Sequence, residues 1–202
     1  MIAVITGDII NSESQPAEKW LPALKSLLQQ WGSTPADWDL YRGDEFQLKC
    51  KTEDALQCSL LIKSLLRTTA QLDARIAIGV GEETFTGASI TESNGTAYVN
   101  SGRLLDTLTV SGDTLAISTD DPLLDADINI MLRWALLQFD QWTPAVAQIV
   151  HRLLLDPGAT QESLARELTI SQSSVSQRLK RAHFDLIKQT DTYYRTKIQQ
   201  LQ

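Results

Sequence analysis

The spacing of apolar residues switches period several times along the first two thirds of the chain, and this constrains the fold more than any other feature. Ile2 to Thr6 is a strand-length apolar run that ends in Gly7-Asp8. After Pro16, Trp20, Leu21, Leu24, Leu27, Leu28 and Trp31 recur at helical spacing, and Gly32 stops the pattern. Two short runs, Trp38 to Arg42 and Phe46 to Cys50, then flank Gly43-Asp44-Glu45 like the arms of a hairpin. Leu56, Leu60, Leu61, Leu65 and Leu66 mark a second helix, and residues 74–80 alternate as a strand. A glycine-rich segment, a helix from Ala97 to Leu108, a strand from Leu115 to Ser118 and a helix over 122–140 follow. The order β-α-β-β-α-β predicts an α+β fold. Its expected form is a ferredoxin-like, palm-type antiparallel sheet with helices on one face, extended by one more helix and strand.

Charge divides the chain. Residues 1–142 hold 10 basic and 20 acidic side chains, a net of −10, whereas residues 143–202 hold 8 and 5, a net of +3. Two units with different partners are expected, a sheet domain over 1–142 and a helical domain over 143–202, divided near Pro144, which suits the first turn of a new helix. The total of −7 excludes a chain that is basic throughout, but not a small nucleic-acid-binding module. Two cysteines without CxxC spacing make no disulfide framework, and two histidines make no zinc cluster. The first residues show no basic leader, and no apolar run approaches the roughly 20 residues that cross a bilayer. A cytoplasmic protein without a membrane partner is the expectation.

Asp8 follows the first strand, while Asp44 and Glu45 sit at the hairpin. In the expected sheet the first strand lies beside that hairpin, so the acids face one another across about one strand spacing, roughly 5 Å. Carboxylates that close repel, and Mg²⁺ resolves the repulsion while keeping sites open for phosphate. The plainer alternative has Asp8 capping the turn at Ile9 to Ser12 and Asp44 as a turn residue. Arg42, Arg75 and Arg103 are the bases able to meet phosphates here, although surface ion pairs are their commoner use. Gly79, Gly81 and Gly87 are expected as turn glycines, since the strand-turn-helix setting of a dinucleotide loop is missing.

The stretches ITGDII, YRGDEFQL, RIAIGVG and AYVNSGRLLDTL, in this order, resemble the class III nucleotidyl cyclase and diguanylate cyclase (GGDEF) palm superfamily over about residues 1–118. The whole chain resembles the SatD-like family of bacterial proteins, which join a GDI…GDEF region to a C-terminal helix-turn-helix. The cyclase resemblance implies metal ligation by Asp8, Asp44 and the carbonyl of Ile9. It implies nucleotide contacts at Arg42, Gly43 and Glu45, and transition-state contacts by Asn100 and Arg103. Arg42 stands where diguanylate cyclases have their first glycine. Asn100 and Arg103 are three residues apart where class III cyclases have four.

The string TQESLARELTISQSSVSQRLKRA, residues 160–182, resembles the DNA-binding tri-helical modules of bacterial regulators. Val146, Ile149, Val150, Leu153 and Leu154 mark a supporting helix that Pro157-Gly158 breaks. Thr160 is a candidate N-cap, with Leu164, Ala165 and Leu168 facing inward on a short second helix. After a turn at Thr169 to Ser171, a third helix turns Val175, Leu179 and Ala182 inward. Its outer face carries Gln172, Ser173, Ser174, Ser176 and Gln177, suited to base edges, and Arg178, Lys180 and Arg181, suited to phosphates. A homodimer on double-stranded DNA is expected, because one module contacts few phosphates. The tail from Tyr193 is a candidate final helix. The function that follows is a transcription-regulator-like protein whose first domain senses a nucleotide or metal. The alternatives are a Mg²⁺-dependent nucleotidyl cyclase or phosphotransferase acting on a nucleoside triphosphate, and a degenerate scaffold.

Overall fold

In the computed structural model, which describes residues 1–201, the first strand is longer than its apolar run. β1 spans Ile2–Ile10, so Asp8 lies inside a paired strand rather than at its end. Helix α1 (Leu21–Leu28) leads to the hairpin of β2 (Trp38–Tyr41) and β3 (Glu45–Cys50). Helix α2 (Ala55–Leu66) precedes β4 (Asp73–Gly81). Helix α3 (Thr96–Ser111) precedes β5 (Leu115–Ser118), and α4 (Pro122–Phe139) follows. The strand order is β2-β3-β1-β4-β5, with β1 pairing antiparallel to both β3 and β4 and β4 parallel to β5.

The sheet is therefore mixed, not purely antiparallel, and its helices lie on both faces rather than one. Parallel strands need a crossover, and α3 supplies it. Ala3, Ile5, Ile76, Ile78, Phe46 and Leu48 point into the main core with α1, α2 and α4. On the opposite face β4 presents Ala77, Gly79 and Gly81. A Cβ on Gly79 would lie 2.2 Å from the Ala97 carbonyl oxygen, so glycine lets α3 come down onto the strand. Gly79 and Gly81 are thus helix-packing residues within a strand, not turn glycines. Asn129 of α4 closes the β5 edge: its amide accepts from the Ile117 N–H and donates to the Ile117 carbonyl, both at 2.8 Å.

Four helices complete the chain: α5 (Pro144–Leu155), α6 (Gln161–Glu167), α7 (Gln172–Ala182) and α8 (Phe184–Ile198). Ile149, Leu153, Leu164, Ala165 and Val175 form a second, small core among α5, α6 and α7. The other side of α5 (Val146, Ala147, Val150) and the inner face of α8 (Ile187, Tyr194, Ile198) belong to the main core. A buried Tyr194 donates its hydroxyl to the Thr52 carbonyl at 2.7 Å. The 142/143 boundary thus separates residues of opposite net charge that nevertheless share one apolar core. No helix among the described residues is long and apolar enough to cross a membrane.

Candidate functional site

The β2–β3 hairpin brings the sequence-distant acids together. Arg42 and Gly43 both take positive φ, 53° and 95°. Nothing lies near where a Gly43 Cβ would sit, so glycine serves the backbone conformation there and not the space. The turn directs the Asp44 carbonyl at the Ile9 N–H, 3.0 Å away. Register then aligns Tyr41, Glu45, Asp8 and Arg75 in a row across four strands, on the face opposite α2. Arg42 reaches back to Glu45 at 3.4 Å.

In this row both Asp8 oxygens accept from one Arg75 nitrogen, at 2.8 and 3.0 Å. Burial pushes the Asp8 carboxyl above its ordinary value, the Arg75 guanidinium pulls it down, and the Asp44 and Glu45 charges add to the rise. Burial and Glu45 also push the Tyr41 phenol up to about 12. Asp44 accepts the Ser12 hydroxyl at 2.8 Å. Of the plainer expectations, Asp8 caps no turn, whereas Asp44 is a turn residue whose side chain also ties the hairpin to the chain leaving β1.

A Mg²⁺ ion does not fit this donor set as it is folded. Arg75 already supplies the cation that Asp8 needs, and no three His, Cys, Asp or Glu side chains among the described residues are grouped to share an ion. Asn100 and Arg103 do not join the row. The Asn100 amide donates to the Val80 carbonyl at 3.0 Å, five residues along β4 from Arg75, or roughly 17 Å. Asn100 there takes over the ladder where β5 ends at Ser118. Arg103, three residues on, is exposed.

The second candidate is the outer face of α7. Thr160 and Ser163 cap α6 reciprocally, each hydroxyl accepting from the other's N–H at 3.1 and 3.0 Å. Helix α6 ends with Thr169 in the left-handed region (φ 55°), and the Ile170 N–H bonds back to the Ala165 carbonyl at 3.0 Å. The Ser171 hydroxyl then caps α7, accepting from the Ser174 N–H at 3.2 Å. Its oxygen also lies 2.9 Å from Ser173 Oγ and 2.8 Å from Ser174 Oγ, so those two hydroxyls help hold the cap.

Val175 anchors α7 in the small core, which leaves Gln172, Ser173, Ser176, Gln177, Lys180 and Arg181 exposed and Ser174 and Arg178 half-buried. Most bases of the chain are tied to acids, including Arg152 to Glu167 (2.5 Å) and Arg195 to Asp54 (3.1 Å). Eight have no ion pair among the described residues: Lys19, Lys25, Lys51 and Arg103, scattered over the sheet unit, and Arg166, Arg178, Lys180 and Arg181, which cluster on α6 and α7.

Spacing arguments missed one further polar centre. Lys63, wholly buried on α2, lies 2.9 Å from Asp73, 3.0 Å from Asp140 and 2.8 Å from the Thr114 hydroxyl. Arg67 joins it, 2.5 Å from Asp73 and bonded to the Asp140 carbonyl. A lone lysine within the apolar stretch LLIKSLL was its signal. The network links α2, the start of β4 and the end of α4, and every charge in it has a partner.

Comparison with protein-family models, curated proteins and solved structures finds no match to this chain.

Proposed function

We propose that this is a DNA-binding protein of the transcription-regulator kind, in which α5, α6 and α7 act as a helix-turn-helix with α7 as recognition helix. The observation that carries this reading is the outer face of α7, polar at its start and cationic, without ion pairs, at its end. Complementing the helix dipole accounts for cations at a C-terminus. It does not account for their concentration: of the eight bases without an ion pair among the described residues, four lie on the two short helices α6 and α7, in a chain of net charge −7. Gln172 and Gln177 suit bidentate contacts to adenine, and Arg178, Lys180 and Arg181 suit phosphates. Helix α5 attaches the module to α2, on the side of the sheet away from Asp8 and Glu45, which keeps that acidic row clear of a DNA backbone. Selection from a random duplex library should enrich a short motif. Gln172→Ala or Gln177→Ala should relax it at one position, by about 1–3 kcal/mol. A library from which nothing is retained contradicts the reading.

In this reading the sheet unit carries the helical module. A second reading, nucleotide or metal sensing and at most Mg²⁺-dependent nucleotidyl transfer, is favoured by the meeting of Asp8, Asp44 and Glu45 at one end of the sheet, and it requires Arg75 to release Asp8. Titration with ATP and GTP, with and without Mg²⁺, tests it. Binding that disappears in Asp8→Ala and Asp44→Ala supports a sensor, pyrophosphate release makes the unit an enzyme, and absence of binding removes the reading.

A further inference from the structure

We propose that two copies of this chain associate about a two-fold axis through the exposed face of α4 and the start of α8, with Trp134 of each copy entering the groove of the other. Along α4, Leu123, Ile130, Trp134 and Leu137 fall on one stripe pointing to solvent, and Leu186 of α8 lies beside it. All five are more than half exposed, Leu123 at 83 % and Trp134 at 70 %. Trp134, Leu137 and Leu186 rim a groove of ≈ 590 Å³ between α4 and α8, and Ala135, Phe139, Ala182 and Ile187 also line it. A large aromatic standing beside an apolar groove on the same surface is self-complementary, as a two-fold interface requires.

Area and charge favour a second copy as occupant. Side chains of this size and exposure present roughly 600 Å² of apolar surface per protomer, the upper end for a patch left bare on a monomer. Two such faces bury on the order of 1,200 Å², where stable interfaces begin. A chain of net charge −7 repels its own copy unless the contact is locally neutral. Around the middle of the face the flanking charges cancel within each copy, Lys197 pairing with Asp127 at 2.6 Å and Arg133 with Asp113 at 3.5 Å. Asp120 and Asp121, without an ion pair among the described residues, lie only at its Leu123 end. The face also adjoins the end of α7. Gln138 of α4 donates to the Arg181 carbonyl at 3.0 Å, and Ala182 lines the groove. Pairing there joins two α7 helices in one particle, which deepens the DNA-binding reading and rests on it for its purpose, though not for its test.

Sedimentation velocity of the full chain at rising concentration, without DNA, is that test. The expected species has twice the 22.5 kDa of the chain. Trp134→Glu, Leu137→Glu and, on the α8 wall, Leu186→Glu should each weaken association by about 30-fold or more. Because these side chains are exposed, far-UV circular dichroism should not change. A wild-type chain that stays monomeric at high micromolar concentration overturns the proposal, as does a dimer that persists in all three variants. A dimer that ignores DNA would count against the DNA-binding reading alone, whereas a DNA-binding monomer would count against this interface alone.

Discussion

At the residue scale, partners decide what each charged side chain does. Asp8 and Arg75 sit opposite one another in the β1–β4 register, and their pairing turns an acidic position into a neutral one. The sequence showed Asp8 and Asp44 as a pair, and the structure puts them at one sheet end. It could not show Arg75, because only the strand register tells which base falls opposite Asp8. The same holds for Lys63, whose acids lie ten and 77 positions away along the chain. Lys63→Met should destabilise the fold by about 3–5 kcal/mol in urea unfolding, because it leaves Asp73 and Asp140 with less compensation in a buried site. A loss well under 1 kcal/mol would mean that the network contributes little.

At the element scale, periodicity located nearly every helix and strand, since burial on one side writes itself into the spacing of apolar residues. It failed where an element is buried on two sides. β4 reads as one alternating strand, yet its small residues Ala77, Gly79 and Gly81 were the mark of a second helical layer. Helix α5 is apolar towards both α2 and the α6–α7 pair, so it joins units that charge alone separates. His151 sits at that joint, 3.1 Å from the Ser64 hydroxyl. Burial pushes its imidazole down to about 4, and the nearby Arg152 adds to the fall. The unfolded chain takes up the proton near pH 6.5, before the folded one. The stability from neutral packing is therefore complete above pH 6.5 and is lost as pH falls through about 4. The loss should reach about 3 kcal/mol, and His151→Gln should flatten it in unfolding curves taken across that range. At the α6 C-terminus, Thr169 holds a left-handed conformation that costs a β-branched residue about 1–2 kcal/mol. Thr169→Gly should therefore raise thermal stability slightly, by about 0.5–1 kcal/mol. A lowered melting temperature would place the importance of that residue in its side chain.

At the scale of the whole molecule, an acidic body carries a small helical unit whose outer face keeps its cations free. The charge division in the sequence foreshadowed this. What spacing left open was how the units join, through α5 and α8 onto α2, and which face of α4 stays bare. Both depend on which apolar stripes find partners inside the chain, and that is known only once the helices are packed. Fluorescence anisotropy of a labelled random-sequence duplex, followed from low to high salt, tests the central claim most directly. For the wild-type chain the logarithm of affinity should fall linearly with the logarithm of salt concentration. In the Arg178→Ala, Lys180→Ala, Arg181→Ala triple variant the slope should be shallower by about 2.5 to 3 per module. An absence of binding at low salt, or an unchanged slope in the variant, would contradict it.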